Sequence, residues 1–178
     1  MNFLGIDLSL TSTGYCFADN CDTISSSFKG PQRLINISES IGNLIIEFKI
    51  DVVILEGYSF ASRNSQAHSI GELGGVVRVM LYKMDIPYVQ VPPTCRAKFA
   101  TGKGNASKNE VISSVSAKTG IIWKNPGADD KCDAWVLEEM ALTKIGRQRH
   151  QWPKANLDAL NNVDWSVIDE LEKERKTK

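Results

Sequence analysis

The chain has 178 residues, and its 21 basic and 21 acidic side chains give a net charge of zero. This length suits one well-packed domain rather than two large ones, and 42% hydrophobic with 24% charged residues is typical of a globular protein. No run approaches the roughly 18 apolar residues of a membrane span, and the N-terminus lacks the pattern of a secretory signal. We therefore expect a soluble protein without a membrane partner.

The first part of the chain alternates between strand and helix patterns. Three short stretches separated by turn-rich residues predict an antiparallel meander of strands at 2–8, 13–19 and 22–28. From 32 to 49, apolar residues recur every three or four positions, which predicts an amphipathic helix. The run "DVVILE" at 51–56 has the continuous apolar character of a strand that is buried on both faces.

The second part predicts one more strand, at 86–91, and three more helices, at about 63–84, 107–119 and 129–145. The first of these helices is apolar over more than one face. Pro92 and Pro93 stop the strand, and Ser107 with Glu110 predicts a capping box. The order β-β-β-α-β-α-β-α-α is that of an α/β protein with five strands, and the residues after 145 are the only candidate appendage.

The cysteines and the charges bear on compartment and partner. The four cysteines, at 16, 21, 95 and 132, form no CxxC pair and no zinc-finger spacing, so we expect reduced thiols and a cytoplasmic protein. Between residues 92 and 126, six basic side chains face a single acid, a local excess of five positive charges. The last 21 residues instead carry six acids and four bases. The neutral total therefore conceals a basic segment.

Acids follow or interrupt apolar stretches at three places. Asp7 lies in the first strand, directly after its apolar run, and Glu56 ends the fourth. In "GADDKCDAWVL", Asp130 and Asp133 are three residues apart, so on a helix they share a face at about 5 to 6 Å. The pair Asp129 and Asp133 is the i,i+4 alternative, and spacing alone does not choose between them.

A cluster of carboxylates needs a cation, because the acids otherwise repel one another and raise each other's pKa. Oxygen ligands suit Mg²⁺ or Mn²⁺, and two such ions about 3.5 to 4 Å apart support in-line phosphodiester cleavage. Taken singly, each acid is more readily explained as a helix cap or an exposed first-turn residue. The order of the acids, with a basic segment between the second and the third, favours the metal site.

Four stretches in this order resemble the motifs of RuvC-type Holliday junction resolvases, within the RNase H-like nuclease superfamily: "GIDLSLTSTGY", "ILEGYSFASRN", "TGKGNASKNEV" and "NPGADDKCDAWVL". The resemblance implies an RNase H-like nuclease domain over residues 1–146, and it leaves 147–178 as a C-terminal extension of unknown role. It implies that the catalytic, metal-binding acids are Asp7, Glu56, Asp130 and Asp133. They would hold two Mg²⁺ ions, which Mn²⁺ can replace, and no small-molecule cofactor is expected.

The same resemblance implies the substrate and the assembly. Two symmetric nicks across four-way and other branched DNA need two active sites, hence a homodimer. The helix at about 63–84 resembles the family's dimerisation helix, with Val77 and Met80 as test positions, although a buried core helix would have the same composition. Gly74 and Gly75 would let two helices approach closely.

Basic and aromatic side chains provide the candidate DNA contacts. Lys98 and Lys108 match the basic positions of the family best, and further candidates are Lys103, Arg96 and Arg63. As a cluster they form the positive surface that a phosphate backbone requires. The aromatic that stacks on unpaired bases near the junction centre is Phe60 if "ASRN" anchors the alignment, and Tyr58 is the alternative.

Two other functions compete with a nuclease. A catalytically silent RNase H-like module could bind DNA or a partner, but the presence of all four acids argues against it. The stretch "GIDLSLTSTG" also suggests an ATP-binding protein of the actin-like superfamily. Those proteins need two such domains and a second glycine-rich phosphate loop, which 178 residues cannot hold.

Overall fold

The computed structural model describes residues 1–57 and 65–177, with the backbone alone for 65–69. Its centre is one five-stranded sheet with the strand order β3-β2-β1-β4-β5. The first three strands form an antiparallel meander, whereas β4 and β5 run parallel to β1. The predicted mixed sheet is therefore confirmed. The strands are β1 (Phe3–Asp7), β2 (Thr13–Phe17), β3 (Asn20–Ile24), β4 (Val52–Glu56) and β5 (Tyr88–Val91).

Helices cover both faces of the sheet. None in the described part of the chain combines the length and the apolar character needed to cross a bilayer. A single 3-10 turn, Leu160–Asn162, also occurs near the end of the chain. The helices are α1 (Gly30–Phe48), α2 (Ser65–Lys83), α3 (Pro93–Thr101), α4 (Lys108–Thr119), α5 (Ala128–Lys144), α6 (Lys154–Leu157) and α7 (Ser166–Thr177).

Alternation along the central strands divides the core into two halves. On β1, Leu4 and Ile6 pack against α1 and α2, whereas Phe3 packs on the opposite face with α3, α4 and α5. The continuous apolar run of β4 behaves in the same way, with Val53 on the first side and Ile54 on the second. Because both faces are covered, a central strand carries apolar residues at nearly every position.

Two glycines let α5 lie directly on the sheet. A Cβ atom at Gly5 of β1 would overlap the carbonyl oxygen of Ala134, and one at Gly14 of β2 would overlap that of Asp130. Any larger residue at either position would therefore push α5 away from the strands. This close packing brings the first turns of α5 beside the end of β1.

Most differences from the predicted elements concern boundaries, but three helices, α3, α6 and α7, were not predicted. The third strand ends at Ile24 rather than at residue 28. Pro92 and Pro93 do end β5, yet Pro93 is also the first residue of α3. Proline fits the first position of a helix because its missing N–H would have no partner there. The capping box of Ser107 and Glu110 is confirmed at the start of α4.

The tail after residue 146 packs against the domain rather than projecting from it. Its buried side chains, Trp152, Trp165 and Ile168, belong to the half of the core formed by α3, α4 and α5. The buried side-chain amide of Asn156 donates a hydrogen bond of 2.6 Å to the carbonyl oxygen of Phe99 in α3. The tail therefore shares the core of the domain, and the domain boundary at 146 stays a prediction.

The expectation of four reduced cysteines is wrong for two of them. Cys16 of β2 and Cys21 of β3 are direct partners across the hairpin and are joined by a disulfide. Their spacing in sequence did not reveal this, because the pairing follows from the register of the two strands. Cys95 and Cys132 are buried free thiols.

Candidate active site

Two of the predicted acids meet at one edge of the sheet. Asp7 ends β1 and Glu56 ends β4, and these strands are adjacent and parallel. The ends of parallel strands meet at the same edge, so the two side chains come within hydrogen-bond reach of each other. Asp7 is almost fully buried there. The sequence pattern of an apolar strand followed by an acid thus locates this edge.

The first turns of α5 contribute the other acids. Asp133 is 1% exposed and faces the ends of β1 and β4. The side chain of Asp130 is 13% exposed, whereas that of Asp129 is 38% exposed and forms an ion pair of 2.7 Å with Lys108. This placement favours Asp130 and Asp133 as the inward-facing pair and Asp129 as the outer acid.

Arg96 lies inside the acid cluster. Its Nε donates a hydrogen bond of 2.6 Å to Oε1 of Glu56, and its Nη1 donates a short one to Oδ1 of Asp133. The residue is only 8% exposed, because it lies on the face of α3 that packs into the core. The prediction that Arg96 contacts the DNA backbone is therefore not supported. Sequence reasoning treated each basic side chain of the segment as a surface charge.

Burial makes the charged state of these acids unfavourable. Burial, and then the neighbouring Glu56, raise the pKa of Asp7 well above its usual value. Burial also raises the pKa of Asp133 to about 7, although Arg96 opposes this shift. Asp133 Oδ2 is buried and has no hydrogen-bond partner among the described residues. Groups in this condition are uncommon in a folded protein and need an explanation.

The residues present fit a divalent cation. The donors are carboxylate oxygens, the ligands that Mg²⁺ and Mn²⁺ prefer, and the unpaired Oδ2 of Asp133 is a free acceptor among them. As the side chains stand, no three potential ligands converge on one point within the described ranges, and the guanidinium of Arg96 lies between Glu56 and Asp133. The acids that would hold the cation are Asp7, Glu56, Asp130 and Asp133.

Several predicted DNA contacts lie around this cluster. Lys108, at the start of α4, is 57% exposed, and its Nζ lies 2.7 Å from Asp129 and 3.6 Å from Asp130. Lys98 lies in the last turn of α3 and is partly exposed, and Lys103 is exposed in the loop that follows. The remaining candidates, Tyr58, Phe60 and Arg63, lie outside the described residues.

The fold and the acid cluster together define the class. The five-stranded mixed sheet with this strand order is an RNase H-like fold, and it carries acids at the ends of β1 and β4 and on the helix packed beside them.

Comparisons with known proteins agree with this class. The family model described as crossover junction endodeoxyribonuclease RuvC matches residues 3–139. The RuvC protein of Prochlorococcus marinus strain NATL2A is 30% identical over 156 residues, which is 82% of this chain and 98% of that protein. The structure of Thermus thermophilus RuvC has a TM-score of 0.64 at 20% identity and covers 85% of this chain and 100% of that one. The same protein in complex with a Holliday junction gives a TM-score of 0.65 at 21% identity, over 85% and 99%. The chain belongs to the RuvC family of crossover junction endodeoxyribonucleases.

Proposed function

We propose that this chain resolves Holliday junctions and other branched DNA by Mg²⁺-dependent phosphodiester hydrolysis. The observation that carries the proposal is the proximity of Asp7, Glu56 and Asp133 at one sheet edge, with Asp130 in the first turn of α5. Family membership supports the nuclease activity, and a related RuvC has been described in complex with a Holliday junction. We further propose that the chain acts in the cytoplasm.

In this proposal each part of the site has a separate task. Two Mg²⁺ ions, or Mn²⁺ in their place, would supply an activated water and stabilise the leaving oxygen when bound. Asp7, Glu56, Asp130 and Asp133 hold and orient the cations. Lys108 lies at the rim of the cluster, where its exposed ammonium can bind the phosphate that is cut.

The DNA arms would bind beyond the rim. Lys98 lies in the last turn of α3, and Lys103 is exposed in the loop that leads to Lys108 at the start of α4, and we assign these two lysines to the phosphate backbone of the arms. We propose Phe60, or Tyr58 in its place, as the side chain that stacks on unpaired bases, and Arg63 as a further cationic contact. Stacking of this kind contributes about 1 to 3 kcal/mol per base.

Two symmetric nicks require a homodimer, and we propose α2 as the helix that forms the dimer interface. Its inner face, which includes Val77, is fully buried against the sheet and α1, so Val77 is a core residue and a poor test of the interface. Its outer face exposes Val79 at 55% and Tyr82 at 87%. Large apolar side chains with this exposure on one helix are typical of an interface. We therefore propose that the outer face of α2 contacts the second copy.

The test is to separate binding from cleavage. Replacing Asp7 with Asn should abolish cleavage of a synthetic four-way junction in Mg²⁺ while the variant still binds the junction, because the basic surface is unchanged. A panel of three-way, flap and linear duplex substrates defines the selectivity. Full cleavage by Asp7→Asn would refute the catalytic assignment. Absence of cleavage by the wild-type chain on every substrate would favour a silent DNA-binding module.

A further inference from the structure

Arg96 is the most unusual group in the acid cluster, because a cationic side chain lies where the metal ligands must converge. We propose that Arg96 is an internal counter-ion that holds Glu56 and Asp133 in the metal-free enzyme and competes with the divalent cation for these two carboxylates. Metal binding then requires the guanidinium to release them. This inference rests on the proposed function, since it assumes that the acids bind a cation.

The packing of α3 holds Arg96 inside the protein rather than at its surface. On α3, Cys95, Phe99 and Ala100 are buried in the core, and Arg96 lies on the same side of the helix. Its side chain reaches from α3 to the end of β4 and to α5, and so joins three elements through two charged hydrogen bonds. An arginine stays charged when buried and presents several N–H groups in one plane, which suits it to bridge two carboxylates.

The pairing with Arg96 is incomplete. One guanidinium serves a cluster of four carboxyl groups, and Oδ2 of Asp133 remains buried without a partner among the described residues. Lys108 lies at the rim, beside Asp129 and Asp130, on the outer side of the cluster. A divalent cation carries twice the charge of arginine and accepts several oxygen ligands at once. The acids are therefore held in place by Arg96 but still favour exchange for the cation.

The same geometry explains why the site is not open to a cation at rest. The Nε and Nη1 atoms of Arg96 contact oxygen atoms of Glu56 and Asp133, so the guanidinium separates these two acids. A cation that binds both acids must take the place of the guanidinium. Removing the guanidinium should accordingly destabilise the metal-free protein and strengthen metal binding. A merely structural arginine would show only the first of these two effects.

The experiment compares wild type with Arg96→Gln, and with Arg96→Lys, which keeps the charge but loses the bridging fork. Lys124→Gln, an exposed change of equal charge, is the control. Binding of Mn²⁺ is measured by calorimetry, and thermal unfolding is measured in EDTA and in saturating Mg²⁺. We expect Arg96→Gln to have a lower Tm in EDTA, to bind Mn²⁺ about tenfold more tightly and to gain more in Tm from Mg²⁺ than wild type. The Tm values and the Mn²⁺ affinity of Arg96→Lys should lie between those of wild type and Arg96→Gln.

Unchanged or weaker Mn²⁺ binding by Arg96→Gln would overturn the inference, whatever its Tm. If Arg96→Gln does not fold in EDTA, the affinity of Arg96→Lys decides, and affinity no tighter than that of wild type would contradict the competition. Failure of the proposed function looks different. In that case wild type and Asp7→Asn bind Mn²⁺ equally or not at all, and the Tm of Arg96→Gln does not respond to Mg²⁺.

Discussion

Helix α5 buries two groups of acids, and the protein compensates them differently. Near its start, Asp133 joins Asp7 and Glu56 around Arg96, and Asp130 lies about one turn earlier, beside Lys108. Two turns further on, Glu138 and Glu139 are also buried, but their oxygens accept hydrogen bonds from a full set of donors. The donors are the backbone N–H groups of Ala18, Arg149 and His150, the Arg149 guanidinium and the Trp152 indole N–H.

The second group of acids links segments that are far apart in the chain. Arg149 pairs with Glu138 at 3.0 Å, with Glu139 at 2.9 Å and with Asp19 of the β2–β3 turn at 2.8 Å, and its guanidinium stacks on Trp135. These contacts join the tail, α5 and the hairpin. Buried charges with complete partners of this kind specify the arrangement of a fold.

The pKa values alone do not distinguish the two groups. Burial raises the pKa of Asp133 to about 7, and burial also raises that of Glu138 to about 7 against the opposing effect of Arg149. The difference lies in the partners, because Asp133 keeps a buried oxygen without one among the described residues. Incomplete compensation, rather than burial of charge, therefore marks the functional cluster on this helix.

The largest expected effect is on cleavage. Asp130→Asn and Asp133→Asn should each lower the cleavage rate by two or more orders of magnitude, on the order of 3 kcal/mol of barrier, because each removes a proposed carboxylate ligand. Asp129→Asn should be nearly silent, since Asp129 lies on the outer side and pairs with Lys108. Single-turnover cleavage of a four-way junction measures this. An inactive Asp129→Asn beside an active Asp130→Asn would show that the assigned register is wrong by one residue.

A change in the second acid group should lower the free energy of unfolding rather than the cleavage rate. Arg149→Gln leaves Glu138 and Glu139 buried without their main cation, and breaking a buried pair in this way costs about 3 kcal/mol. Urea unfolding measures the loss, with Arg147→Gln as the exposed control. Cleavage per folded molecule should be retained. A loss of cleavage that exceeds the loss of folded protein would contradict the division between the two groups.

The pH dependence of stability should also distinguish the clusters. In the folded state Asp133 binds its proton more tightly than its ordinary value of 3.8 implies, with a pKa of about 7. Its contribution to stability is therefore full below about pH 4 and is lost as the pH rises through 7. In EDTA, wild type should lose stability over this range relative to Asp133→Asn, by on the order of 4 kcal/mol.

Saturating Mg²⁺ should reduce this pH dependence, because a cation favours the ionised carboxylate. Chemical unfolding of the two proteins at a series of pH values gives the comparison. An equal slope for wild type and Asp133→Asn in EDTA would mean that Asp133 titrates normally in the folded protein.

The smallest effect concerns the surface cations. Replacing Lys98 and Lys103 together with Ala should weaken junction binding and lower the slope of log K against log salt by roughly two units, one for each lost phosphate contact. The rate at saturating enzyme should change little, because neither lysine contacts the acids in the described structure. An unchanged slope in a salt titration would show that the DNA does not contact Lys98 and Lys103 and binds at another face.

Much of the site could be predicted from the sequence, for a local reason. An apolar strand that ends in an acid gives the position of that acid on the sheet, so Asp7 and Glu56 followed from pattern alone. The capping box of Ser107 and Glu110 could be predicted for the same reason, because its two residues are only three positions apart in the chain. The choice between Asp129 and Asp130 could not be predicted in this way, because both share a helix face with Asp133. Only the exposures of their side chains in the fold, 38% and 13%, favour Asp130.

The features that could not be predicted from the sequence depend on tertiary structure. Arg96 looked like part of a basic surface, because its inward direction follows from α3, a helix hidden by the interpretation of Pro92 and Pro93 as a stop. The Cys16–Cys21 disulfide depends on strand register. The tail looked like an appendage because Trp152 and Trp165 follow no helical or strand period, although both are buried in the domain core.

The most direct test of the comparison is a crystal of the protein grown with Mn²⁺ and measured for anomalous scattering. We expect manganese between Asp7, Glu56, Asp130 and Asp133, with the Arg96 guanidinium moved away from Glu56 and Asp133. We expect no manganese at Glu138 and Glu139, where Arg149 remains in place. Manganese absent from the first cluster, with Arg96 still bridging its two acids, would contradict the account.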